Sequence, residues 1–391
     1  MAEQSSDKRQ EEGADGWSAT RGGFLRRSAV LGGSIAGGSA LAGAFAGSSH
    51  AAGAASGFTA YPGGAGTDAV IRKLVAGRTL KVGFTPPILS EFFDEMEHAA
   101  WWRMAELESR YGVKWQWERA APRANFNAVE EQVNIVQNWA TKRFDACLVC
   151  TGANFATMQR VYKDANKHGT KIFQFNQPAE LYPVDKINTV SNIGYDNRWQ
   201  SGYLAGTYIA KQLKGKGNVI QIWGPPGSDW SRGRQIGFDR ALKENPGLKV
   251  VGKQDGGYVR DKGFASAQAL LRRNKNVNAI YGENEEMALG GSQAIDAAGL
   301  KHWDGKAGIL TIGADGLRSG FAAIRKGRLT ATVDVGGIDQ GLTFIDTIFH
   351  SLVLGYSVDK FINVPTKVVD KSNVDLSDAY TAWALKPPKK Y

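Results

Sequence analysis

The chain is poor in the residues on which most catalytic and metal chemistry depends. It has two cysteines and five histidines in 391 residues. Cys147 and Cys150 show the C-x-x-C spacing, but they fall in the strand-like run 144–150 rather than at a helix start. Three steps along a strand point two side chains to opposite faces, so the pair reads as two buried thiols and not as a redox couple. His50, His98, His168, His302 and His350 are scattered and suggest no metal cluster, and neither cysteine has a histidine near it in sequence. The loops that announce cofactors are missing too. Gly224-Pro-Pro-Gly227-Ser228 has no Gly-Lys-Ser/Thr behind it, which excludes a P-loop. No G-x-G-x-x-G opens the helix expected at Ser90, and no G-x-S-x-G elbow occurs. An enzyme would need a nucleophile–base pair or a cofactor loop; with neither found, no enzymatic activity and no cofactor are expected.

A dense block of Lys or Arg is also absent. The formal net charge is +10, yet the cations are spread along the chain. Nucleic-acid binding wants them clustered, so no nucleic-acid partner is expected. In residues 1–51 the acids Glu3, Asp7, Glu11, Glu12 and Asp15 balance Lys8, Arg9, Arg21, Arg26 and Arg27, which places the basic excess in the rest of the chain. The length exceeds that of one ordinary domain, and 42% hydrophobic residues suffice for real cores, so two lobes are expected.

The N-terminus reads as an address. Residues 1–20 are polar; Arg21-Gly-Gly-Phe-Leu-Arg-Arg-Ser28 follows, then a small, mildly apolar run over 29–47. Ser49-His50-Ala51 and Ala52-Gly53-Ala54 offer small-x-small cleavage sites. A long polar leader with paired arginines and a weakly hydrophobic core resembles a twin-arginine export signal. Gly22 stands where the second arginine of the usual pattern would be, and Arg26-Arg27 lacks the following Phe-Leu. The run is too rich in glycine for a good membrane-spanning helix. The expected address is the periplasm. Residues 52–78 read as a linker with a first short helix near 68–75.

From Thr79 onward strand-like and helix-like periods alternate. Strands are expected at 79–85, 113–118, 144–150, 170–175, 186–192, 217–223, 248–253, 278–282, 308–313 and 329–335, with helical stripes such as Val129, Val133, Val136 and Ala140, or Leu204, Ile209 and Leu213, between most of them. This alternation implies α/β architecture with parallel sheets flanked by helices. Ten strands suit two five-stranded sheets. The loop with Pro178 and Pro183 has no helix, and the passage between lobes is expected there, with a return after 329–335 at Gly336-Gly337. The stretch 278–299 shows the repeating unit best. Ala279-Ile280-Tyr281 is strand-like, and Asn284 can cap the helix that follows. Glu285 and Glu286 sit where the helix dipole favours negative charge. Met287, Ala288, Ile295 and Ala298 can face inward, and Gly299 is a stop signal.

In open α/β sheets ligands bind at the carboxyl ends of the strands. What recurs at those ends here is polar plus aromatic: Glu91-Phe92-Phe93, Asn176-Gln177, Trp230 near Arg234, Tyr258, Asn284, Asp315 and Asp334. Rings can cover the C–H faces of a carbohydrate or polyol while fixed amide, carboxylate and guanidinium groups bond its hydroxyls. Each residue has a plainer alternative. Phe92 and Phe93 suit a helix core, Arg234 an exposed helix face, Asn284 a cap and Asp315 a turn before Gly316.

Four ordered motifs carry a family resemblance. Asn284-Glu-Glu-Met-Ala-Leu-Gly290 resembles the Asn-Asp-x-Met-Ala-Leu-Gly motif of ribose-type periplasmic sugar-binding proteins, the type I substrate-binding components of ABC importers. Gly313-Ala-Asp-Gly316, Arg234-Gln-Ile-Gly-Phe238 and Leu329-Thr-Ala-Thr-Val333 are similar to three more of their motifs, and Gly341 fits the helix after the last. The resemblance runs from about Leu80 to Val369. It implies two Rossmann-like lobes joined by three crossovers, divided as 79–194 plus 337–362 and 195–336 plus 363–391, with a sugar trapped between them. It matches Phe92, Phe93 and Tyr258 to stacking aromatics, and Arg234, Asn284 and Asp315 to the hydroxyl-binding set. An Asp-Arg pair of the ribose proteins falls on Asn176-Gln177, their pocket glutamine falls on Val335 beside Asp334, and Ser90 stands near their first-strand asparagine. Those departures argue against ribose itself. The implied partners are a neutral sugar, polyol or cyclitol and an inner-membrane ABC permease, and a monomer is expected. A sensor of the same fold, serving a chemoreceptor or acting as a repressor, is the alternative. A repressor would need a helix-turn-helix ahead of the core, and residues 1–51 do not read as one.

Overall fold

The computed structural model describes residues 65–123, 128–152, 155–177, 186–195 and 200–391. The export signal, the cleavage sites, residues 52–64 of the linker, and Pro178 and Pro183 lie outside the described residues. Helix α1 (Ala65–Val75) buries Ile71 and Val75 one turn apart. The first sheet is then built from β1 (Thr79–Thr85), β2 (Lys114–Arg119), β3 (Ala146–Val149), β4 (Lys171–Phe175) and β5 (Ser191–Gly194). Between them run α2 (Glu91–Tyr111), α3 (Val129–Thr141) and, after a short 3-10 turn, α4 (Gln159–Lys167). β3 and the C-terminal half of β1 are buried on both faces because helices cover both sides of a parallel sheet.

The second sheet follows the same grammar: α5 (Gln200–Gln212), β6 (Lys216–Trp223), α6 (Asp229–Glu244), β7 (Gly247–Asp255), α7 (Arg260–Arg273), β8 (Ala279–Gly282), α8 (Glu285–Ala297), β9 (Leu310–Asp315), α9 (Arg318–Arg325) and β10 (Ala331–Asp334). The chain then returns to the first lobe. α10 (Gly337–Ile348) packs against α2, closely enough that a Cβ on Gly341 would lie 2.3 Å from the carbonyl oxygen of Met96. β11 (Phe361–Asn363) joins the first sheet beside β5, and β12 (Lys367–Asp370) joins the second beside β10. A last helix, α11 (Val374–Ala384), touches both halves. Its start is buried with Phe321 and Leu289, and its end with Ala99 and Ile338.

The strand orders are β11-β5-β4-β3-β1-β2 and β12-β10-β9-β8-β6-β7. Every pairing is parallel except β10 with β12. Each sheet thus has six strands where five are expected, because the two short strands of the final crossings add one to each edge. The passage expected between 175 and 186 is also corrected. β4 and β5 pair directly, so the chain stays in the first sheet until Gly194 and changes lobe between Tyr195 and Gln200. The strand expected at 186–192 begins later, at Ser191. Ala298 is exposed rather than inward, since α8 ends one residue before it. Ala69–Tyr391 form one compact unit, and the carboxyl ends of both sheets meet inside it.

Candidate functional site

A cleft of about 540 Å³ opens where those ends meet. From the first lobe it is lined by Ile88, Leu89 and Ser90 after β1, by Glu91, Phe92 and Phe93 at the start of α2, and by Asn176 at the end of β4. Ser90 is the N-cap of α2 but makes no side-chain cap hydrogen bond, which leaves its hydroxyl to the cleft. Phe93 meets Phe175 edge-on at 6.1 Å, and Phe92 meets Phe93 at 5.3 Å, so both rings belong to the core and to the cleft wall together.

From the second lobe come Trp230 and Arg234, four residues apart and so on one face of α6. Tyr258 follows β7, Asn284 caps α8 and Asp315 ends β9. Tyr258 lies against the end of β6, where a Cβ on Gly224 would fall 2.1 Å from its ring; only glycine admits the tyrosine there. Asn284 meets both of its expected readings. Its Oδ1 accepts the N–H of Met287 at 2.9 Å, and its Nδ2 donates to the Tyr258 carbonyl at 3.2 Å. Asn176 (φ 53°), Tyr258 (φ 62°) and Asp315 (φ 137°) all hold positive φ, a costly backbone state for residues with a Cβ, and all three line the cleft.

Arg234 is buried at the base. Its Nη2 donates to Asp315 Oδ1 at 2.9 Å and to the Tyr195 hydroxyl at 2.8 Å, its Nε reaches the same hydroxyl at 3.3 Å, and Nη1 donates to the Glu283 carbonyl. Burial pushes the Asp315 carboxyl up to about 6, while the guanidinium opposes that shift. Beneath it lie two further carboxyls pushed up mainly by burial. Glu283 reaches about 7 despite donors from Ser231, Gly224 and Gln221, and Glu285 reaches about 8 despite Thr332 and Gly316. Between the lobes Trp230 donates its indole N–H to the Asn176 carbonyl, and the Ser319 N–H at the start of α9 donates to Glu91 at 3.1 Å. Glu95, one turn further along α2, accepts from the Arg318 N–H, and burial with like-charged neighbours raises it to about 9.

Nine of the residues expected at the site thus line one cleft: Ser90, Phe92, Phe93, Asn176, Trp230, Arg234, Tyr258, Asn284 and Asp315. Gln177 and Asp334 are placed elsewhere. Gln177 is buried and donates to the Thr151 carbonyl at 2.9 Å, while accepting from Gln174 at 2.8 Å. Asp334 lies behind Asp315, accepts the Gly336 N–H at 2.9 Å and pairs with Lys367 at 3.6 Å. There it borders a water-sized hollow of about 10 Å³ with Glu95, Asp339 and Tyr380. Sequence reasoning missed Tyr195, Glu283 and the rim pair Arg260–Glu286, which is bidentate at 2.9 and 2.8 Å. The Asn-Glu-Glu run carried a signal for Glu286, but nothing local marks Tyr195. Cys147 and Cys150 are free and buried, with burial raising both thiols. Among the described residues no group of three or more His, Cys, Asp or Glu could hold a metal ion, and no helix is long and apolar enough to cross a membrane.

Residues 82–352 match the periplasmic binding protein domain family. The ribose import binding protein of Bacillus subtilis is 28% identical over 247 residues, covering 62% of this chain and 74% of that protein. The ribose import binding protein of Haemophilus influenzae is 35% identical over 191 residues, covering 48% of this chain and 60% of its own length. Among solved structures, an ABC transporter solute binding protein from Bacillus halodurans with bound myo-inositol superposes with a TM-score of 0.66 at 23% identity. That comparison covers 79% of this chain and 98% of the other, and at that identity the likeness concerns the fold.

Proposed function

Because the chain belongs to the periplasmic binding protein family, whose members bind solutes rather than transform them, we propose that it traps a neutral sugar, polyol or cyclitol between its lobes and delivers it to the permease of an ABC importer. One observation carries this reading. The buried Arg234–Asp315 pair, 2.9 Å apart and flanked by Asn284, faces a cleft walled by Phe92, Phe93, Trp230 and Tyr258. Charged groups held rigidly among rings suit hydroxyls above and C–H faces below. Asp315 and Arg234 anchor the solute from the second lobe, since hydrogen bonds to charged groups contribute about 1.5–3 kcal/mol against about 0.5–1.5 for neutral ones. Asn176 and Ser90 shape the choice among stereoisomers from the first. Gln177 and Asp334 act from behind, fixing the strand ends on which Asn176 and Asp315 stand.

A solute that touches both lobes binds the closed arrangement better and shifts the population toward it. The protein works as a monomer in the periplasm, and residues 1–51 are its export signal, read by the twin-arginine route. Thermal-shift screening against sugars, polyols and cyclitols, followed by calorimetry and scattering, tests the solute reading. A saturating ligand raises the melting temperature and reduces the radius of gyration, and a panel without a binder removes the proposal. Replacing Arg21, Arg26 and Arg27 together by lysine tests the route. Unchanged appearance of the mature protein in the periplasm removes the twin-arginine assignment and leaves a general secretory one.

A further inference from the structure

Most polar groups of the cleft are already taken up inside the protein. A guanidinium has five N–H donors, and four of those on Arg234 go to Tyr195, Asp315 and Glu283. The single indole N–H of Trp230 goes to Asn176, and the Tyr258 hydroxyl is 2.8 Å from that of Ser228. Both residues therefore turn ring surface, not a polar handle, toward a solute. Gln177 is withdrawn into its own bonds. On the rim Arg260 and Glu286 bond each other through two of the guanidinium's five N–H groups. The first lobe keeps the Ser90 hydroxyl for the cleft, and within the second lobe the inner capacity is concentrated at the base. There Arg234 keeps one N–H, Asn284 keeps one, and Asp315 keeps two of its four acceptor positions after Arg234 and the Glu285 N–H are served.

The mouth is different. Leu89 is 62% exposed and Val259 is 46% exposed, one from each lobe, and both line the cleft with Ile88 and Leu317 close by. A hydroxyl pressed between these two side chains on closure would lose water and find no partner in either of them, which is unfavourable. A methyl group there would instead remove three apolar surfaces from water at once. Resting on the reading of the cleft as a sugar or cyclitol site, we infer that its solute carries a methyl group on one edge, as a 6-deoxyhexose or a mono-O-methylated ring does. The hydroxyl edge meets Arg234, Asn284 and Asp315, and the methyl lies between Leu89 and Val259.

The test is calorimetry on the mature protein with matched pairs: D-galactose and D-fucose, L-mannose and L-rhamnose, myo-inositol and its mono-O-methyl ethers. These arms separate the deoxy from the O-methyl source. In the pair containing the tightest binder, the methyl-bearing member binds at least about tenfold more tightly, the usual reach of one apolar group in a fitted pocket. Leu89→Asn, at a position exposed enough to leave folding alone, brings that ratio close to one. If the member lacking the methyl group binds as tightly or more tightly, or if Leu89→Asn leaves the ratio intact, the inference fails while the sugar-binding proposal stands. If no member of any pair binds, both fail.

Discussion

Trp230 of the second lobe donates its indole N–H to the backbone carbonyl of Asn176 in the first. The acceptor is a residue held at φ 53°, so its carbonyl is aimed out of the sheet edge and across the cleft. The bond spans the two lobes, so under the proposed closing motion it contributes to the energy of closing. Trp230→Phe keeps a ring and removes the donor. Solute affinity should fall several-fold, in line with about 0.5–1.5 kcal/mol for one neutral hydrogen bond. Equal dissociation constants for the variant and the parent by calorimetry would show that closing does not use the bond.

Asp315 both receives Arg234 and retains acceptor positions, so its removal takes away the proposed anchor and leaves the guanidinium underpaired. Asp315→Ala is expected to weaken solute binding at least about tenfold, or roughly 1.4 kcal/mol. Asn176→Ala should cost less and change the ranking of related solutes. If Asp315→Ala binds as tightly as the parent, the base of the cleft is not where the solute sits.

The buried carboxyls make stability depend on pH in an unusual direction. Glu283, Glu285 and Glu95 are raised from an ordinary 4.5 to about 7, 8 and 9. The folded protein therefore keeps protons that the unfolded chain has released. Their contribution is fully present below about 4.5 and is lost as pH rises through those values. Urea unfolding should show lower stability at pH 9 than at pH 6, and Glu95→Gln should flatten the upper part of that fall. A pH-independent midpoint across this interval contradicts the burial argument.

Helices α5 and α6 touch backbone to backbone. A Cβ at Gly202 would lie 1.8 Å from the Arg234 carbonyl oxygen, which no rotamer can relieve. Gly202→Ala should destabilise the protein by about 1–3 kcal/mol, typical of overpacking, and should weaken solute binding by moving Arg234. Thermal unfolding of the apo protein separates the two effects. A variant with the parent's melting temperature would mean that the helices part freely.

Much of this was legible in the chain, and the exceptions have causes. β1 could be read to the residue because Leu80, Val82 and Phe84 fill one face between turn signals. The N-cap at Asn284 was legible because a cap is a local device. β11 and β12 were not, since three or four residues with charged neighbours carry no period. Gln177 stands outside the cleft lining because which of two adjacent amides enters a cleft depends on the backbone turn at Asn176, a tertiary matter. Tyr195 has no motif of its own. Its role arises only when the first crossing brings its hydroxyl beside a guanidinium contributed by a residue 39 positions later. Likewise Glu95 shares its helix with Glu97 and Arg103, which are also buried but are paired with Arg119 and with Asp346, whereas the burial of Glu95 is set by the lobe it meets.

α11 begins on the second lobe and ends on the first. Arg318 and Arg325 hold its early turns through Asp375 and Asp378. At its far end Trp383 stacks on Trp102 at 4.9 Å, and Lys389 and Tyr391 bond Glu108. Any rotation of one lobe against the other has to shear one of these attachments. The face-to-face indole stack is the attachment whose electronic environment light can report. Solute should therefore alter tryptophan emission both at Trp230 in the cleft and at this stack, and Trp383→Phe should remove the stack's share of that change while leaving affinity close to the parent's. The helix would then be a built-in optical gauge of the angle between the lobes, needing no dye.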